Sequence, residues 1–121
     1  SMLTKLFMLP IKQILIWQKL FNLLSSLSPS DISELKANLN LAIELFETEI
    51  LTQNIDDLPE HIAGKMRSYL TESHRLLRLL SMDVMFIAAA RTPTTNQQRF
   101  QAYQTKLNML LQYCQAVMNS G

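Results

Sequence analysis

Apolar residues recur every three or four positions along almost the whole chain, and polar, turn-forming clusters break that rhythm near residues 28–31, 53–60 and 92–95. A period close to 3.6 predicts amphipathic helices, and three breaks predict four of them. The first run carries Ile11, Ile14, Leu15, Trp17, Leu20, Phe21, Leu24 and Leu27 on its apolar face, with Pro10 suited to the first turn and Lys12 and Lys19 outside the set. Ser28, Pro29, Ser30 and Asp31 then form a turn, and Asp31 with Glu34 has the spacing of a capping box. A second helix is expected to about Thr52, with its apolar line through Ile32, Leu35, Leu39, Ala42, Phe46 and the 49–50 region.

The third helix is expected to be the longest. Asp57, Pro59 and Glu60 supply a capping side chain, an early proline and an acidic first turn. Its line passes through Ile62, Met66, Tyr69, Leu76, Leu80, Val84 and Ile87, with Ser73 interrupting. Residues 82–90 are apolar almost all round, apart from Asp83, and such a stretch is expected to be covered on several sides. Pro93 disfavours helical geometry at Thr92, so the helix should stop near Arg91. A fourth helix starting at Thr94 or Thr95 carries Phe100, Tyr103, Leu107, Leu110, Cys114 and Val117 at alternating spacings of three and four. The short corner between them makes helices three and four antiparallel neighbours, which places Asp83 opposite residues 103–106. A buried lone carboxylate is costly, so Asp83 should pair with Lys106 or accept a hydrogen bond from Tyr103. The expected fold is all-α: one domain over residues 1–121, an antiparallel bundle of about four helices. Residues 1–9 are expected as a flexible or extended N-terminal segment, with Ser1 ahead of Met2 a remnant of expression.

Composition narrows the function. At 121 residues the chain is long enough for one core, and only two glycines argue against a protein built from hairpins. The seven methionines suit a helical core, although methionine also lines adaptable binding surfaces. Cys114 is the lone cysteine, so no intramolecular disulfide can form, and a reducing, cytoplasmic setting is expected. The net charge of +1 excludes bulk attraction to polyanions, yet charge is uneven: residues 1–30 carry three lysines and no acid, 31–60 carry eight acids and one lysine, and 61–121 carry seven basic and two acidic residues.

Recognisable chemistry is sparse. His61, His74 and Cys114 are far apart and follow no metal-binding motif, and neither histidine has an acid three positions before it. Cys114 sits in an apolar stripe that predicts burial, and no glycine-rich phosphate loop occurs. No metal, no cofactor and no enzymatic activity are expected. Arg67, His74, Arg75 and Arg78 fall near one another on helix three, and Arg91 and Arg99 bracket the following corner. These five arginines are the candidate partner-binding residues, since the guanidinium fork pairs well with carboxylates, unless Glu44, Glu47 and Glu49 of helix two neutralise the stripe as an ordinary solvated face. Few aromatics accompany them, so no nucleic-acid partner is expected. Residues 2–27, apolar with Lys5, Lys12 and Lys19 as their only charges, could instead lie on a membrane or enter a partner's groove, but lysines interrupt every stretch long enough to span. Residues 2–9 could also mediate a homodimer.

The run RLLSMDVMFIAAARTP at residues 78–93, with LLQYCQAVM at 110–118, resembles the cyanobacterial heterocyst frequency control protein PatD family. The likeness lies in an arginine before paired leucines, a Met-Asp-hydrophobic centre, an Ala-Arg-x-Pro corner and a late Tyr-Cys pair. Residues 75–93 and 107–118 match that outline, about a quarter of the chain and none of the first thirty residues. The resemblance implies a non-catalytic regulator that binds the tubulin-like division protein FtsZ and sets the frequency of nitrogen-fixing cells.

Overall fold

The computed structural model describes residues 9–120, in which four helices run in order. They are α1 (Ile11–Ser25), α2 (Ile32–Leu45, continued by a π-helical turn over Phe46–Ile50), α3 (Glu60–Ala89) and α4 (Pro93–Met118). Each helix packs on two others, α1 on α2 and α4, and α3 on α2 and α4, so the four close into a ring around one core. Neighbours are antiparallel. Asp83 meets Lys106 while Tyr69 meets Tyr113 further down the same helix pair, and the Leu9 N–H ahead of α1 donates to the Ser120 carbonyl beyond α4.

The core contains the residues that the periodicity selects. Trp17, Leu20 and Leu24 of α1, Leu35, Leu39 and Phe46 of α2, Leu76, Leu77 and Leu80 of α3, and Tyr103, Leu110 and Cys114 of α4 are all buried. Trp17 meets Phe46 edge-on, with ring centroids 5.9 Å apart. Two residues assigned to the inward face of α1 do not belong there: Ile11 is 72% exposed and Leu15 55%, because the buried stripe runs through Gln13 instead. Gln13 meets the polar demand of that position in part by donating from Nε2 to the Asn54 carbonyl. Leu9, assigned to the flexible segment, is buried; residues 2–8 lie outside the described residues.

Helix boundaries depart from expectation at two places. Asp57 does not cap α3: Pro59 holds the N-cap position, and Asp57 accepts from Asn54 within the preceding loop. The Pro59 carbonyl accepts from the Ile62 and Ala63 N–H groups at 2.9 Å, which closes the first turn, so the helix begins directly after it at Glu60. α3 ends at Ala89 with Ala90 as its C-cap, next to Arg91 as Pro93 implies. α4 begins earlier than Thr94, because Thr92 is its cap, accepting at Oγ1 from the Thr95 N–H at 3.2 Å, with Pro93 in the first turn. Asp31 caps α2 as its spacing implies, with Oδ1 accepting from the Glu34 N–H.

Candidate partner-binding surface

α3 is 30 residues long, about 45 Å, and reaches past the middle of the bundle to the corner where α4 begins. Its buried stripe passes through Met66, Leu70, Ser73, Leu77, Leu80, Val84 and Ile87. With a helical period, positions 75, 78, 82, 85, 86 and 89 must then point away from the core. Arg75 and Arg78 are therefore brought together on the outward face, with Arg67 about two turns earlier and Arg91 and Arg99 at the corner.

Most of the arginines are already engaged. Arg67 bonds Glu60 at 2.7 Å, Arg75 bonds Glu72 at 2.9 Å, and Arg78 reaches Glu47 of α2 at 3.3 Å. Glu47 also faces His74 at 3.4 Å, and the imidazole stacks on Phe46 of the π-helical turn. Arg99 donates to the Phe86 carbonyl, which α3 leaves without a helical donor near its C-terminus, and its guanidinium lies 5.7 Å from the Phe86 ring centre. Arg91 is exposed and has no partner among the described residues. Glu47 does neutralise part of the stripe, whereas Glu44 and Glu49 bond no arginine among the described residues. The Arg–Glu pairs sit at half-exposed sites and are worth little in stability, so their arginines can exchange partners at small cost.

Beside these arginines lies a feature opposite to the expectation that residues 82–90 are covered. Only Val84 and Ile87 are buried, while Met82 is 48% exposed, Met85 59% and Phe86 47%, and Ala88 and Ala89 are open. A groove of about 310 Å³ continues the patch towards α2, lined by Ile32, Val84, Met85, Ala88 and Ala89 with Lys36 on its rim. The signal was present in the sequence: once Leu80, Val84 and Ile87 define the inward line, Met82, Met85 and Phe86 have no second helix to meet. In the same run Asp83 points sideways to α4, where Lys106 bonds it at 2.9 Å, as its isolation in an apolar stretch requires.

The remaining chemistry-bearing residues lie elsewhere. Cys114 is wholly buried, and burial pushes its thiol up to about 12. His61 and Lys65 line a pocket at the far end of the bundle with Leu9 and Tyr69. Among the described residues no three metal-ligating side chains come together, and no helix there is long and apolar enough to cross a membrane. Of the segment read as a membrane or groove-binding face, Trp17, Leu20 and Leu24 are in the core, while Ile11 and Leu15 are exposed.

A family model, the CRR41 C-terminal domain, matches residues 13–114, which takes in α2, α3 and most of α1 and α4. No curated protein and no solved structure matches the chain.

Proposed function

The chain belongs to the CRR41 C-terminal domain family, and we propose that it acts without catalysis, in the cytoplasm, as a binding module whose outward α3 face receives an acidic segment of a partner protein. The observation that carries this reading is the patch of Met82, Met85 and Phe86, each about half exposed, within a rim of arginines and Lys36. Contiguous exposed apolar surface marks interaction sites, and methionine, phenylalanine and arginine are the residue types that interface centres favour. A partner bearing carboxylates around an apolar anchor would bury the patch and exchange places with Glu47 and Glu72 on Arg78 and Arg75.

The specific partner in this proposal is FtsZ, and the specific role is control of heterocyst frequency. Support comes from the likeness to the PatD family: its arginine, its Met-Asp-hydrophobic centre and its Ala-Arg-x-Pro corner are the residues of this face, Arg78, Met82, Met85, Phe86 and Arg91. The test is co-sedimentation with FtsZ polymers in GTP. The chain should pellet with the polymers, and Met85→Asp or the pair Arg75→Glu and Arg78→Glu should cut the pelleted fraction severalfold, with circular dichroism unchanged because all three positions are exposed. Absence of co-pelleting would reject FtsZ as the partner. Co-pelleting indifferent to both variants would reject the α3 face.

A further inference from the structure

A second groove, of about 350 Å³, runs between α1 and α2 on a different side of the bundle from the α3 patch. Its floor is Leu23 and Leu45, and on its edge stands Leu41, 53% exposed. Its two walls have opposite charge. Lys19 lies on the α1 wall and Glu44 and Glu49 on the α2 wall, and no ion pair joins them, or engages any of them, among the described residues.

An apolar floor with a basic wall and an acidic wall is complementary to itself. We propose that this groove is the interface of a homodimer, occupied by the same groove of a second copy. A two-fold axis along the groove places α1 of each copy over α2 of the other. Lys19 then meets Glu44 and Glu49 of its partner copy, twice over, and each Leu41 settles on the other copy's Leu23, so the apolar residue that stands out of the surface becomes the knob for the depression beside it. A basic or acidic foreign partner would match one wall and be repelled by the other, which is why a second copy fits better than either. The α3 faces stay outside the contact, so the dimer presents two of them; the dimer does not depend on what they bind.

Sedimentation equilibrium of the full chain across the micromolar range tests this. Reversible dimers are expected, weakened by salt, and Lys19→Glu should raise the dissociation constant by about tenfold or more, since it faces two acids with a third. Adding Glu44→Lys and Glu49→Lys to Lys19→Glu reverses both walls and should restore the dimer. Leu41→Asp should abolish it with helicity intact, and Met85→Asp should leave it unchanged. A monomer at every concentration overturns the proposal, as does a dimer insensitive to Leu41→Asp, a triple variant that stays monomeric while folded, or a dimer lost on Met85→Asp.

Discussion

Of the ionic contacts made by α3, the one from Lys106 Nζ to Asp83 Oδ2 is the most enclosed, with side-chain exposures of 26% and 13%. Enclosure changes what a substitution does. Severing an exposed pair such as Arg67–Glu60 only returns two charges to water. Lys106→Met strands Asp83 between two helices, at a cost of about 1–3 kcal/mol, below the range for fully buried pairs because water still reaches both groups. Urea unfolding should show that loss, and the double variant Asp83→Leu with Lys106→Met should recover most of it, because the surroundings are apolar and neither charge is then left alone. Equal and additive losses would mean that the pair contributes no coupling. That Asp83 required a partner could be read from its neighbours; which of Lys106 and Tyr103 supplied it depended on the rotation of α4, and Tyr103 turned inward to the core with its hydroxyl buried.

At the scale of the elements, caps and one widened turn decide where helices start and how they rotate. Thr92→Ala should remove the only side-chain acceptor at the α4 N-terminus among the described residues and cost about 1 kcal/mol, read as a shift in the denaturation midpoint; Thr94→Ala, outside the cap, should cost far less. The register of apolar residues was legible because burial follows the 3.6 period, and Leu35, Leu39, Ala42 and Phe46 lie as their spacing implies. Helix starts were harder to read, since Asp57 and Thr94 have the right chemistry and only the path of the loop decides whether a side chain reaches a free N–H. The π-helical turn at Phe46–Ile50 left no clear trace in the sequence. There the Leu51 N–H reaches back five residues to the Phe46 carbonyl, which keeps both Phe46 and Ile50 in the core while Glu49 stays in solvent. Thr48 and Thr52 donate their hydroxyls to the Glu44 and Thr48 carbonyls along this stretch, supplying bonds that a widened turn leaves open. At the candidate site, neutralisation of the stripe by acids of the second helix could be read from the sequence, but which of Glu44, Glu47 and Glu49 does it could not: Arg78 and His74 meet Glu47 because this turn presents it across the α2–α3 seam.

On the scale of the whole molecule, four helices have one shared interior, and ionisable groups placed there tie global stability to alkaline pH. Cys114 and Tyr103 are both buried on α4; burial raises the thiol from 9.0 to about 12 against the smaller, lowering effect of a backbone hydrogen bond, and burial alone raises the phenol from 10.0 to about 12. Both are neutral when protonated, so below about pH 9 folded and unfolded chains bind these protons equally and the groups contribute no slope. Above that, the unfolded chain releases the Cys114 proton while the folded chain keeps it; the unfolded state gains free energy of ionisation, and stability falls. Tyr103 adds to the fall from about pH 10, and both contributions level off near 12. The melting temperature should therefore decline from about pH 9 upward, by an amount on the order of a few kcal/mol in stability once both groups ionise in the unfolded state. Cys114→Ala, which leaves a small cavity and lowers the melting temperature at every pH, should remove the decline between about pH 9 and 10 and make it shallower from about 10 to 12, where Tyr103's portion stays intact. Alkylation gives the independent readout: with the thiolate confined to the unfolded chain, iodoacetamide should label Cys114 at the rate of global opening, faster in Lys106→Met than in the unaltered chain. A melting temperature flat through this range, or labelling indifferent to destabilisation, would place Cys114 in contact with solvent and not in the shared interior.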